Sequence, residues 1–190
     1  PNGAGKTTTM RMISGIIQPT SGRVMVNGIS VEADPIATKR VVGYVPDRPY
    51  LYEKLTAFEY MEFIAGVYEL EPTAAQEKAA SLVTLFGLGD VMHHEIESYS
   101  HGMKQRLVMS SVLLCAPKLM VVDEPMVGLD PNGARLLKNT LRTEAQDNGM
   151  AILLSTHSLD VAEEVCDEIV MINKGRLVAQ GSPSDIRALA

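Results

Sequence analysis

The sequence predicts an α/β protein built on a mostly parallel β-sheet, and three observations support this class. The chain opens on a glycine-rich turn that leads into a helical pattern, PNGAGKTTTM. Its last part alternates helical segments with three short apolar runs, KLMVVDEP, MAILLSTH and EIVMINKG, as expected of parallel strands covered on both faces. Residues 48–115 show amphipathic helical periodicity without strand patterns, which predicts a helical subdomain inserted into the core.

The first elements follow from local signals. Apolar residues at helical spacing predict a helix from Lys6 to about Ile17. Asn27-Gly28 lies inside a β-rich stretch and predicts a short β-hairpin. A short helix capped by Asp34 should follow, and then a strand at 41–45.

The remaining helices are predicted from their caps. Thr56 with Glu59 is a capping box at the start of the first of two amphipathic segments. A third helix of the insert should run from about Gly102 to Leu114. Asp130, followed by proline, begins the next helix, and Ser158 caps another.

Composition excludes several classes of function. The net charge is −6, so no broad basic face suggests a nucleic-acid partner. The longest apolar stretch, residues 107–122, is broken by Pro117 and Lys118 and is not a membrane span. Cys115 and Cys166 lack the spacing of a metal site and are expected to be buried thiols in a reducing compartment.

The opening turn carries most of a phosphate loop. Gly5, Lys6 and Thr7 supply the end of G-x-x-x-x-G-K-[ST], whose first glycine would precede Pro1. Lys6 would neutralise the β- and γ-phosphates, Thr7 would bind Mg²⁺, and Thr8 can reach the α-phosphate. The predicted nucleotide-binding residues are Asn2, Gly3, Ala4, Gly5, Lys6, Thr7 and Thr8. The alternative is a glycine-rich turn before an unrelated helix.

Two acidic residues end the apolar run LMVVDEP. At the carboxyl edge of a parallel strand, Asp123 would hold Mg²⁺ and Glu124 could polarise a water that attacks the γ-phosphate. The alternative is an acidic strand end in solvent. His157, at the tip of the next apolar strand, could donate a hydrogen bond to the γ-phosphate; the alternative for a lone histidine is a structural or exposed role.

The segment YSHGMKQR places Ser100 and Gly102 at the start of a predicted helix. Free N–H groups and a hydroxyl presented together can bind an anion. The alternative is an ordinary helix N-cap.

Phosphate loop, helical insert, SHG, VVDEP, GLD and STH occur in one order along the chain. This set resembles the nucleotide-binding domain of ATP-binding cassette (ABC) transporters over essentially the whole chain. The resemblance implies a P-loop NTPase (RecA-like) core at 1–47 and 116–190, a helical subdomain with the signature helix at 48–115, and binding of ATP and Mg²⁺. The segments GYVPDRPYLYEKLT and YSHGMKQR are similar to bacterial subunits that pair with a separate membrane permease, often exporters of the ABC-2 type.

The resemblance also implies that two such domains sandwich two ATP molecules head to tail. The residues that would face the partner's phosphates form the signature: Ser100, His101, Gly102 and Met103. The residues that would couple the two sites lie in the loop after the carboxylates: Gly128, Leu129 and Asp130.

Three departures from the family pattern are visible. Asp47 stands where the family usually has a glutamine that touches Mg²⁺; aspartate can still meet the ion but is shorter and charged. The signature usually reads L-S-G-G-Q, so His101 replaces a glycine and Met103 replaces a polar residue. In the family, strands, an adenine-stacking aromatic and a glycine precede the phosphate loop. The resemblance therefore implies that N-terminal strands are missing before Pro1, and we expect a polypeptide that begins at Pro1 to hydrolyse ATP poorly.

We therefore expect an ATPase subunit that powers substrate movement by a polytopic permease, in the direction of export. It would pair with a second ABC subunit, identical or different, at the cytoplasmic side of the membrane, without nucleic acid. Two alternatives stay open. One is a soluble ABC ATPase that acts on ribosomes or DNA. The other is a low-activity regulatory partner in a heterodimer, with which Asp47 at the usual glutamine position is compatible.

Overall fold

The structure is a computed structural model that describes residues 3–188, so Pro1 and the predicted nucleotide-binding residue Asn2 lie outside the described part. The helices and strands of this part, in chain order, are α1 (Lys6–Ile13), β1 (Met25–Val26), β2 (Ile29–Ser30), α2 (Pro35–Val41), β3 (Val42–Val45), α3 (Ala57–Val67), α4 (Pro72–Leu85), α5 (His101–Leu114), β4 (Leu119–Asp123), α6 (Pro131–Gln146), β5 (Ala151–Ser155), α7 (Leu159–Val165), β6 (Ile169–Asn173), β7 (Arg176–Gly181) and α8 (Pro183–Arg187). Two short 3₁₀ turns, Gly89–Val91 and Ile96–Ser98, precede α5.

The central sheet is parallel, as predicted, and has the order β3-β4-β5. Val45 lies opposite Val122, and Asp123 lies opposite Ser155. The apolar run of β4 is almost wholly buried, because helices and loops cover both of its faces. This register brings the carboxyl ends of the three strands to one edge of the sheet.

The helical insert and the sheet share one apolar core. Its buried members come from β3, from the helices of the insert and from β4, for example Val45, Phe86, Leu107 and Met120. The Thr56 hydroxyl accepts from the Glu59 N–H at 3.1 Å while the Glu59 carboxylate accepts from the Thr56 N–H at 2.8 Å, so the predicted capping box is present. Packing in this shared core holds α5 against β3.

The hairpin signal is confirmed, and the first helix is shorter than predicted. Asn27 and Gly28 both have positive φ, 49° and 77°, the conformation that a tight two-residue hairpin turn requires. The prediction that the first helix continues to about Ile17 is wrong, because Gly15 adopts φ 67° and ends α1. The Ile16 N–H bonds to the Arg11 carbonyl at 2.9 Å, which completes a Schellman-type stop.

The expectation for EIVMINKG as a parallel strand covered on both faces is wrong within residues 3–188. This segment forms β6, which pairs antiparallel with β7, a strand that the sequence did not predict. A cleft of about 980 Å³ lies beside β5 and β6, and Val170 and Met171 of β6 are exposed. The apolar run therefore predicts a strand correctly in the described structure, but it predicts neither the partner of that strand nor its burial.

Candidate functional site

The carboxyl edge of the central sheet gathers residues that the sequence singled out separately. Asp47 lies just after β3, Asp123 ends β4, and Glu124 follows it. His157 comes just after β5, the strand beside β4. Because neighbouring parallel strands end at the same edge, three distant segments of the chain converge there, and this edge is where open α/β sheets bind ligands.

The phosphate loop leads into α1. Gly5 is the N-cap of α1 with φ 108°, and Gly3 has φ 73°, conformations that favour glycine and let backbone N–H groups turn toward an anion. The carbonyl of Ala4 accepts from the Gly175 N–H at 2.8 Å. The turn between β6 and β7 therefore supports the loop. Sequence reasoning missed this contact, because no local signal links Gly175 to the phosphate loop.

Glu124 lies between two groups that can carry positive charge. Its Oε1 is 3.5 Å from the Lys6 Nζ, and its Oε2 is 2.9 Å from the His157 Nδ1. The Glu124 side chain is 16% exposed, whereas that of His157 is 59% exposed and open to solvent. The three residues predicted for phosphate binding and hydrolysis therefore form one connected group.

The backbone of Glu124 is unusual. It adopts φ 47°, the left-handed region, immediately before Pro125. A non-glycine residue there costs on the order of 1 kcal/mol or more, and such costs cluster at functional sites. The strand ends sharply at this residue.

Asp123 is completely buried and is held by Ser155. The Ser155 hydroxyl donates to the Asp123 Oδ1 at 2.5 Å and accepts from the Glu124 N–H at 3.0 Å. One side chain thus orients both acidic residues. Sequence reasoning missed Ser155 because the chain alone does not give the register between β4 and β5.

The second carboxylate oxygen of Asp123 suits a cation. Its Oδ2 is buried and has no hydrogen-bond partner in the structure, and buried carboxylate oxygens are normally paired. No three His, Cys, Asp or Glu side chains converge on a common point within residues 3–188. An ion beside Asp123 would therefore need further oxygens from phosphate, from water or from a hydroxyl such as that of Thr7, which lies in the first turn of α1.

The charge of Asp47 acts on Arg11. The pKa of Arg11 is raised, first by its contact with the Tyr44 phenol and also by the charges of Asp47 and Asp123. The two carboxylates therefore act on the same guanidinium.

The signature residues begin α5. The Ser100 hydroxyl accepts from the Met103 N–H at 3.3 Å, so Ser100 is also the N-cap. The first turn of α5 packs against the loop that contains Gly128: a methyl group added at Gly102 would lie 3.4 Å from the Gly128 carbonyl oxygen. Asp130 occupies the predicted N-cap position of α6, but its side chain forms no capping hydrogen bond. The structure therefore joins the signature to the loop 126–130.

The sequence profile described as ABC transporter matches residues 1–127 of the 190-residue chain. The chain belongs to the ABC transporter family. A solved structure described as the ATP binding subunit of an ABC transporter superposes with a TM-score of 0.90 at 36% sequence identity, and the match covers 100% of this chain and 78% of that one. This likeness confirms the predicted fold, an α/β P-loop NTPase domain.

Two curated members of the family are similar over nearly the whole chain. The uncharacterized ABC transporter ATP-binding protein YxlF of Bacillus subtilis is 37% identical over 187 residues, which is 98% of this chain and 61% of the relative. The linearmycin resistance ATP-binding protein LnrL of the same bacterium is 34% identical over 186 residues, 98% of this chain and 60% of the relative. The chain thus spans about three fifths of the length of these curated relatives.

Proposed function

We propose that this chain is the ATP-binding and ATP-hydrolysing domain of an ABC transporter. The observation that carries the proposal is the Glu124 carboxylate, which lies 3.5 Å from the Lys6 Nζ and 2.9 Å from the His157 Nδ1. A carboxylate beside a phosphate-loop lysine and a strand-tip histidine is an arrangement suited to phosphoryl transfer. The names of the relatives as ATP-binding proteins support the same conclusion.

Phosphate binding is assigned to the loop and the start of α1. The N–H groups of residues 3–8 and the positive end of the helix would hold the β- and γ-phosphates. The Lys6 ammonium neighbours Glu124 in the structure. A bound γ-phosphate would offer Lys6 a second anion, so nucleotide binding should loosen the contact between Lys6 and Glu124.

Hydrolysis is assigned to Glu124 with help from His157. Glu124 would accept a proton from a water while that water's oxygen forms a bond to the γ-phosphorus and the bond to the bridging oxygen of ADP breaks. As an imidazolium, His157 would donate from Nδ1 to Glu124, which it orients, and from Nε2 to a γ-phosphate oxygen. Mg²⁺ would be held by Thr7 and Asp123, with Asp47 as a further candidate ligand. The bound ion would neutralise part of the charge on the phosphates.

Two partners are proposed, a second ABC subunit and a membrane permease, and membership of the family supports both. Ser100 to Met103 of one subunit would contact the nucleotide held by residues 3–8 of a second ABC subunit, and residues 48–115 would meet a membrane permease. Within the described residues 3–188, no helix combines the length and the apolar character needed to cross a bilayer. Membership of the ABC transporter family supports the proposal that a separate permease spans the membrane and that this domain lies at its cytoplasmic surface. The word "resistance" in the name of one relative supports export.

Glu124→Gln is the experiment that tests this function. In the full-length protein, the variant should bind ATP and form ATP-dependent dimers while turnover falls by about 10²- to 10⁴-fold, the usual contribution of a positioned general base. Glu164→Gln is the matched control, because the exposed Glu164 pairs with Lys138 and its loss should leave turnover unchanged. Undiminished turnover in Glu124→Gln would remove Glu124 as the base.

A low-activity regulatory partner is the second candidate, and Asp47 is the observation that favours it. Its carboxylate stands where the family usually has a neutral amide. If this candidate is right, the full-length protein should bind ATP but turn it over slowly, and Asp47→Gln in the full-length protein should raise the rate. Brisk turnover by the unmodified full-length protein would reject it.

A further inference from the structure

The loop that follows Glu124 lies directly on the first turn of α5. A methyl group added at Gly102 would lie 3.4 Å from the Gly128 carbonyl oxygen and 3.5 Å from the Leu129 Cδ2. A methyl group at Gly102 would therefore meet the loop at ordinary van der Waals distance, so the loop lies close to the first turn of the helix. Leu129 also packs against the main apolar core. The loop is therefore anchored on one side by Leu129 and on the other by the helix.

His101 covers the same loop from the outside. A methyl group added at Gly128 would lie 2.7 Å from the His101 Cδ2 and 3.4 Å from its Nε2. The imidazole therefore lies across the Gly128 Cα, in space that any larger side chain would need. Gly128 also has φ 78°, so a glycine suits this position both for its backbone and for the ring above it.

The covered loop is connected to the carboxylate edge. The Val127 N–H donates to the Glu124 carbonyl at 3.2 Å, and the Leu129 N–H donates to the Met126 carbonyl at 3.4 Å. These bonds make residues 124–129 a tight turn that begins at Glu124. The His101 ring therefore lies against a turn that begins at the proposed general base.

We propose that His101 is a positioning residue that clamps the loop 126–129 onto the first turn of α5. Through this clamp Ser100, Gly102 and Gly128 are presented to a second subunit as one surface. The family pattern has a glycine at position 101, and a glycine there has no side chain that could reach Gly128. This inference rests on the two-subunit function proposed above, but the clamp itself is a property of a single chain.

Hydrogen exchange followed by mass spectrometry tests the clamp without nucleotide. In His101→Ala, peptides covering residues 124–130 should exchange about tenfold faster or more, because the loop opens more often once the ring is gone. Peptides from α4 serve as the internal reference and should be unchanged. His101→Phe should keep the slow exchange, because the contact to Gly128 is made by a ring carbon.

Variants at Gly128 test the contact from its other side. Gly128→Ala should push the ring away and produce the same fast exchange, and combining it with His101→Ala should add little further. Gly149→Ala is the matched control, because Gly149 has a similar φ of 65° and an added methyl would meet nothing within 4 Å; its loop exchange should be normal. Exchange in His101→Ala within twofold of the unmodified protein, or fully additive effects of the two variants, would overturn the clamp.

Dimer formation tests the consequence. In the Glu124→Gln background, His101→Ala should weaken the ATP-dependent dimer about tenfold, while His101→Phe restores it and the ATP affinity of the monomer stays the same. An unchanged dimer affinity would refute the shared surface. If Glu124→Gln alone forms no ATP-dependent dimer, the proposed function fails and the dimer-facing part of the inference fails with it, while the exchange measurement still decides whether the clamp exists.

Discussion

Ser155→Ala probes the geometry of the carboxylate edge, because one hydroxyl holds both acidic residues. Ser155 Oγ donates to the Asp123 Oδ1 at 2.5 Å and accepts from the Glu124 N–H at 3.0 Å. Asp123 is completely buried and Ser155 nearly so. Alanine removes the donor and the acceptor together and leaves a carboxylate oxygen and an N–H group without their partner.

The expected cost follows from those two groups. A buried polar group that loses its only partner costs about 1–3 kcal/mol, and more when it is charged. Partial hydration of the small space left by the hydroxyl offsets some of this, so Ser155→Ala should lower the free energy of unfolding by about 2–4 kcal/mol. Ser110→Ala is the matched control: Ser110 is equally buried, but its hydroxyl donates to the Arg106 carbonyl within α5, so its loss should cost under about 1 kcal/mol.

Urea denaturation followed by far-ultraviolet circular dichroism measures both variants, since the chain has no tryptophan for fluorescence. The two midpoints should be clearly separated, with similar slopes. If Ser155→Ala unfolds within about 0.5 kcal/mol of Ser110→Ala, the bridge contributes nothing specific. The assignment of Ser155 as the residue that orients Asp123 and Glu124 would then be wrong.

Two further predictions concern the core and the thiols. A methyl group at Gly43 would lie 2.3 Å from the Val112 Cγ1, so Gly43→Ala should destabilise the fold by about 1–3 kcal/mol through overpacking. Gly66→Ala is the control, because an added methyl group at this position in α3 meets open space, and it should be neutral or stabilising. Equal urea midpoints for the two variants would refute the tight contact between β3 and α5. Burial raises the pKa of Cys115 to about 11 and also raises that of Cys166, so alkylation of Cys115 at pH 8 should be roughly a hundredfold slower in the folded protein than in urea. Equal rates in the two states would contradict its burial.

Local signals in the sequence were sufficient to predict structure where interactions within a short segment determine its conformation. Asn27-Gly28 predicts a hairpin because both residues tolerate positive φ, and Thr56 with Glu59 predicts a helix start because each side chain satisfies the other's backbone. Strand-tip placement also follows from the apolar runs that end at Asp123 and before His157.

Contacts between distant segments could not be predicted in the same way. Ser155 meets Asp123 because β4 and β5 pair in one register, and periodicity within each strand does not fix that register. His101 meets Gly128 across two separate elements, and no local signal links them. The pairing of β6 with β7 was missed because an apolar run identifies a strand but not its neighbour.

The central claim is that the loop ending in Lys6 binds the phosphates of a nucleotide. Calorimetric titration with ATP in the presence of Mg²⁺ tests this claim most directly. The unmodified protein should bind ATP, and Lys6→Ala should bind it about 10- to 100-fold more weakly, as expected for the loss of a charge-assisted contact. Lys54→Ala, which removes an exposed lysine paired with Glu95, should leave the affinity unchanged. No measurable binding by the unmodified protein, or equal affinities for it and Lys6→Ala, would contradict the account.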